Sequence, residues 1–94
     1  MWKTTPTHLE ATLIFDSFID AIDYMQDISH DIEVCGHHPD WKNVYNKIYI
    51  VLHTHDTGGI SEKDYVLADI IEKSYRKWVD RDEDIQGSPR AYTG

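Results

Sequence analysis

Four of the six histidines, His37, His38, His53 and His55, fall in one short central stretch of the chain. Imidazole changes charge near neutral pH, so histidines gathered together can take and give protons or bind a metal. A solitary surface histidine commonly does neither, but here the spacing has consequences. His37 and His38 stand directly before Pro39 and Trp41, which favours one ring held against apolar neighbours and the other turned toward solvent or a cleft. His53 and His55 are two apart in a segment that reads as a strand, and residues so spaced share a face. Any site on this chain is expected here.

Acid–base catalysis on a small molecule is one use of such a cluster, and a metal centre is the other. His53-Thr54-His55-Asp56 has the H-x-H form found in metallohydrolases, and three histidines with a carboxylate could hold zinc with one open position. Those enzymes, however, draw further ligands from distant strands of much larger domains. Nucleophilic catalysis is weakly supported, because Cys35 has no recognisable activating arrangement and a lone cysteine at a helix end is usually an inert small residue. Gly58-Gly59 has neither the spacing nor the lysine of a phosphate loop and reads as a turn before a helix cap.

The elements that must position the histidines can be read from periodicity. The first fifteen residues form two short extended pieces broken at Pro6, the second of them starting at Leu9 and rich in β-branched and aromatic residues. Ser17 with Asp20 resembles a capping box and opens a helix. Phe18, Ala21, Ile22, Met25, Ile28 and Ile32 give it one apolar stripe, and Gly36 stops it, since His38 precedes a proline. The period then becomes two. Ile48, Ile50 and Leu52 alternate with Tyr49, Val51 and His53, predicting strands over 41–45 and 48–55 with a turn at Asn46-Lys47. Ser61 with Asp64 opens a second helix, predicted to run to about Val79, with Tyr65, Ala68, Ile71, Tyr75 and Trp78 or Val79 facing inward. After Asp80 the apolar period fails, so residues 1–79 are expected to form the domain and residues 80–94 a charged tail. The order β-β-α-β-β-α predicts an α+β fold, a four-stranded antiparallel sheet with helices on one face.

Charge and composition narrow the partners. Nine basic residues against 17 acidic ones give a net charge of −8, which argues against nucleic acid, since phosphate binding needs clustered Lys and Arg. No apolar run has the length of a membrane span and the start lacks the core of a signal peptide, so a cytoplasmic protein is expected. One cysteine allows no internal disulfide. A 94-residue chain has a thin core, which favours a homodimer or homotetramer.

The stretch Glu33-Val34-Cys35-Gly36-His37-His38-Pro39-Asp40-Trp41-Lys42-Asn43-Val44-Tyr45-Asn46-Lys47 resembles the signature of pterin-4a-carbinolamine dehydratases. The likeness continues through Thr54-His55-Asp56, Gly58-Gly59-Ile60-Ser61, Asp64 and Leu67-Ala68, and upstream through Trp2, Phe15, Phe18, Ala21 and Met25, spanning about residues 2–75. It implies the same α+β fold and removal of water from 4a-hydroxytetrahydropterin to give the quinonoid dihydropterin, in tetrahydrobiopterin recycling, with no metal and no cofactor. By position it implies that His37 and His55 are the acid–base pair and that His38 chiefly binds the pterin. Glu33 would orient an imidazole, and Trp41, Asp64 and Trp2 would line or support the pocket. The resemblance also implies a homo-oligomer. Animal members serve as dimerisation cofactors of a homeodomain transcription factor, so a non-catalytic interaction module is the alternative reading. The family's helix before the first strand has no counterpart ahead of Trp2, Ala11 stands where an arginine is common, and His53 has no counterpart in the motif. Replacing His53 is therefore expected to leave kcat within about threefold, as when no transition-state contact is lost.

Overall fold

The computed structural model describes residues 1–84. Two antiparallel strands, β1 (Lys3–Thr4) and β2 (Leu9–Ile14), lead into helix α1 (Phe18–Cys35). A second pair, β3 (Asp40–Val44) and β4 (Lys47–Leu52), is followed by a 3-10 turn at His55–Thr57 and helix α2 (Glu62–Asp84). The sheet runs β1-β2-β4-β3, antiparallel throughout, so β4 lies in its interior between β2 and β3. This is the expected α+β architecture. Alternation puts Leu9, Ala11 and Leu13 of β2 and Ile48, Ile50 and Leu52 of β4 on the inner face, where both helices pack. Glu10, Thr12, Tyr49 and Val51 alternate to the outer face, which has no helix over it among the described residues.

Both ends of α1 are capped as expected. Ser17 Oγ accepts from the Asp20 amide at 3.1 Å. Gly36 adopts φ 75°, the left-handed region glycine tolerates best, and its amide donates to Ile32 O and Glu33 O. The buried stripe differs from the expected one. Ala21, Tyr24, Ile28 and Ile32 face inward, whereas Phe18 is 47% exposed and Ile22 also lies on the flank. Tyr24 takes the inward place because its ring fills the space between the helices and its hydroxyl donates to Ile71 O of α2 at 2.9 Å. Tyr75 and Trp78 meet its ring edge-on, and Phe15 packs against it at a tilt.

Four further expectations are corrected. The hairpin turn falls at Tyr45-Asn46, one residue early, because Val44 pairs with Lys47 and Asn46 is tied to Phe15 through both its backbone oxygen and its side-chain amide. The α2 helix is turned so that Asp64, Leu67, Ala68 and Ile71 are buried, while Tyr65 is 52% exposed. It also continues past Val79 to Asp84, and the rest of the expected tail, residues 85–94, lies outside the described residues. Most consequential for the histidines, β4 ends at Leu52 rather than at residue 55. Thr54 makes one isolated bridge to Gly59, and the chain then folds into the 3-10 turn closed by Gly58 at φ 70°. His53 and His55 therefore do not share a face by strand alternation.

Candidate active site

His37 follows the glycine that ends α1, and Asp64 stands in the first turn of α2. The packing of the two helices brings His37 Nε2 to 2.6 Å from Asp64 Oδ1. Asp64 is wholly buried, and the His37 side chain is 15% exposed. The other carboxylate oxygen accepts from the Ser61 amide at 2.9 Å and from the Thr54 hydroxyl at 2.8 Å. The Thr54 and Ser61 hydroxyls lie 2.6 Å apart and link the turn after β4 to the start of α2. The bond from Asp64 back to Ser61 is the carboxylate half of the expected capping box. It also explains the rotation of α2, because a helix whose Asp64 is held beneath the turn must carry Tyr65 outward.

These contacts set the charge state. Burial alone would raise the Asp64 carboxyl, but the hydrogen bonds from His37, the Ser61 amide and Thr54, with the charge on His37, outweigh it and hold the group below the usual carboxylate range. An ionised carboxylate can only accept, so His37 Nε2 carries the proton and donates it to Asp64. With Nε2 committed to Asp64, Nδ1 is the ring nitrogen left to face a bound molecule.

A cavity of 390 Å3 is lined by His37, His38, His53 and His55 together with Asp40, Thr54, Asp56 and Lys63. That volume lies within the ~300–1,000 Å3 of small-molecule sites. His53, Thr54 and His55 also border a second cavity of 440 Å3 that reaches Thr7 and His8. His38 is exposed, and its Nε2 lies 2.8 Å from Oε1 of the equally exposed Glu33 on the last turn of α1. His53 Nε2 lies 2.8 Å from Asp40 Oδ2, and the rings of His53 and His55 meet edge to face with centroids 4.4 Å apart. Among the described residues, no group of three or more His, Cys, Asp or Glu is arranged to hold a metal ion.

The fold thus gathers His37, His38 and His55 around one opening, with Asp64 under the first and Glu33 beside the second. Trp41 and Trp2 are placed differently. Both are partly buried against the core, neither lines the histidine cavity, and the buried Trp2 indole N–H has no hydrogen-bond partner among the described residues. Sequence reasoning missed Thr54 as a carboxylate anchor and Asp40 as part of the cavity wall, and the family resemblance gave no place to His53, which also lines it. The H-x-H spacing pointed at His53, but nothing local pointed at Asp40.

Comparison with known proteins adds to this geometry. The chain is similar to a protein of Cyanothece sp. provisionally named pterin-4-alpha-carbinolamine dehydratase, 40% identical over 78 residues that cover 83% of this chain and 80% of the relative. It is likewise similar to a protein of the same provisional name from Rhodospirillum rubrum, 40% identical over 77% of each chain. Among solved structures it resembles the transcriptional coactivator/pterin dehydratase from Brucella melitensis, with a TM-score of 0.73 and 26% identity over 79% of this chain and 81% of that one. The profile of the family described as pterin 4 alpha carbinolamine dehydratase matches residues 1–74, and the chain belongs to that family.

Proposed function

We propose that the protein dehydrates a 4a-hydroxytetrahydropterin to the quinonoid dihydropterin, with His37 and His55 as the proton-transfer pair. The observation that carries this reading is the His37–Asp64 pair, a largely buried imidazole on a buried carboxylate, opening into a cavity that also holds His55 and His38. The names of the relatives point to the same reaction.

Elimination breaks the C4a–O bond and the N5–H bond and forms water, with no change of oxidation state. The proton leaving N5 needs a base, and the departing hydroxyl needs an acid. His37 suits the base, because ionised Asp64 stabilises the imidazolium formed when Nδ1 takes the proton, as a buried carboxylate does for a catalytic histidine. His55, exposed across the same cavity, suits the acid. His38 sits at the mouth with its Nε2 held by Glu33 and contributes chiefly to holding the pterin ring.

The test is turnover of 4a-hydroxytetrahydropterin, generated in the assay, by the purified chain. Acceleration over spontaneous dehydration is expected, and a rate equal to the uncatalysed one would overturn the proposal. The solved relative from Brucella melitensis is also called a transcriptional coactivator, so protein contact is the competing reading. The carboxylate also caps α2, but a contact module has no use for three histidines gathered around one cavity, which favours the enzyme.

A further inference from the structure

His53 has no task in the mechanism above, yet the fold sets it against one of the two proton-transfer histidines. His55 is exposed on the 3-10 turn, and among the described residues its ring makes no side-chain hydrogen bond. Its specific contact is the edge-to-face packing with His53, at 4.4 Å between centroids and 83° between planes. A ring on a short turn with nothing beside it would sample several rotamers, and proton transfer tolerates little misplacement.

His53 is itself held. Asp40 opens β3 and pairs with Val51 of β4, and His53 lies two residues beyond Val51, so the two side chains are diagonal neighbours at the end of the sheet. The outcome is the 2.8 Å contact between Asp40 Oδ2 and His53 Nε2, with the His53 side chain 26% exposed. A strand residue thereby fixes the orientation of a ring that walls a residue on the adjoining turn.

We infer that His53, anchored by Asp40, is a positioning residue for His55. The inference rests on the reading of His55 as the proton donor, and it reverses the expectation drawn from the motif, in which His53 has no counterpart. His53 does not touch the reacting atoms in this scheme. It restricts His55 to the rotamer that faces the cavity.

The experiment combines kinetics with histidine NMR. His53→Ala and Asp40→Ala are each expected to lower kcat by about five- to fifty-fold, less than loss of the acid itself, with KM shifted less than about twofold. Asp40→Asn keeps an acceptor oxygen and should recover most of the loss seen in Asp40→Ala. The double Ala variant should be no worse than His53→Ala, because both changes remove one chain of contacts. In the free protein, the His55 ring signal should move in Asp40→Ala, which leaves both histidines in place. A His53→Ala kcat within twofold of the unsubstituted chain, or losses that multiply in the double variant, would overturn the inference. Should the unsubstituted chain not turn over the carbinolamine, the dehydratase reading fails, and the NMR arm decides the positioning role alone. An unmoved His55 signal in Asp40→Ala then sinks it, and a moved one upholds it.

Discussion

His37 Nε2 and Asp64 Oδ1 lie 2.6 Å apart although their residues are separated by a hairpin and a turn along the chain. The contact joins the end of one helix to the beginning of the other, so the same bond serves the fold and the site. Asp64→Asn keeps the size of the group but removes its charge and presents His37 with an amide that can donate as well as accept. We expect kcat to fall by about 10²-fold or more, as for other groups that act through a catalytic imidazole. The pH profile of kcat should shift with it, which distinguishes loss of the anion from loss of fold.

The same carboxylate predicts a pH dependence of stability. Its pKa is lower in the folded chain than in the unfolded one, so the unfolded chain binds the proton more readily in acid. The stabilisation from the ionised group is fully present above the ordinary aspartate value of roughly 3.9 and is lost as pH falls from there through the lower folded value. Urea unfolding of the unsubstituted chain and Asp64→Asn should therefore differ clearly in mild acid, where the carboxylate is still ionised. The gap should close as pH falls below the ordinary aspartate value of roughly 3.9, and a gap that widened below that value would contradict the assignment.

The remaining histidines should separate by kinetic effect. We expect His37→Ala and His55→Ala to lower kcat by roughly ten- to a thousand-fold, toward the low end of general acid–base contributions because the carbinolamine also loses water unaided. His38→Ala should act mainly on KM, since this ring is exposed and tethered by an equally exposed carboxylate. Steady-state kinetics with folding checked by circular dichroism is the measurement. A His38→Ala variant with normal KM and collapsed kcat would exchange the roles of the two adjacent histidines.

Tyr24 ties the helices together at a distance from the cavity. Burial, and next the neighbouring Tyr75, push its phenol above the usual range, so it stays a neutral donor to Ile71 O. Tyr24→Phe should cost about 1 kcal/mol for the lost bond, and up to about 3 if the carbonyl stays unsatisfied. Denaturant unfolding measures this, and kcat should hold because the cavity is untouched. In an alkaline titration followed by phenolate absorbance, one tyrosine fewer in Tyr24→Phe should leave the curve unchanged below the unfolding pH.

Self-association is the last expectation. β3 is an edge strand, with one side paired to β4 and the other carrying backbone groups open to a further strand, and the outer sheet face carries no helix among the described residues. Light scattering at micromolar concentration should report a dimer or a tetramer. A monomer mass would show that this small core is sufficient alone.

Local chemistry was enough to read much of this from the residues in order. The caps at Ser17 and Gly36, the alternation through Ile48, Ile50 and Leu52, and the motif around His37-His38-Pro39 are each written in a few adjacent residues, so the α+β order, the family and the histidine-bearing segment were legible. Rotation about a helix axis, the turn position and the point where a strand ends were not. Those depend on contacts between remote residues: Tyr24 with Ile71, Asn46 with Phe15, and Thr54 with Gly59 and Asp64. The sequence alone determined that His37, His53, His55, Asp40 and Asp64 were available. Only the tertiary structure decided that Asp64 would sit beneath His37, and that Asp40 would hold His53 against His55, because each pairing needs two elements docked at one angle and register.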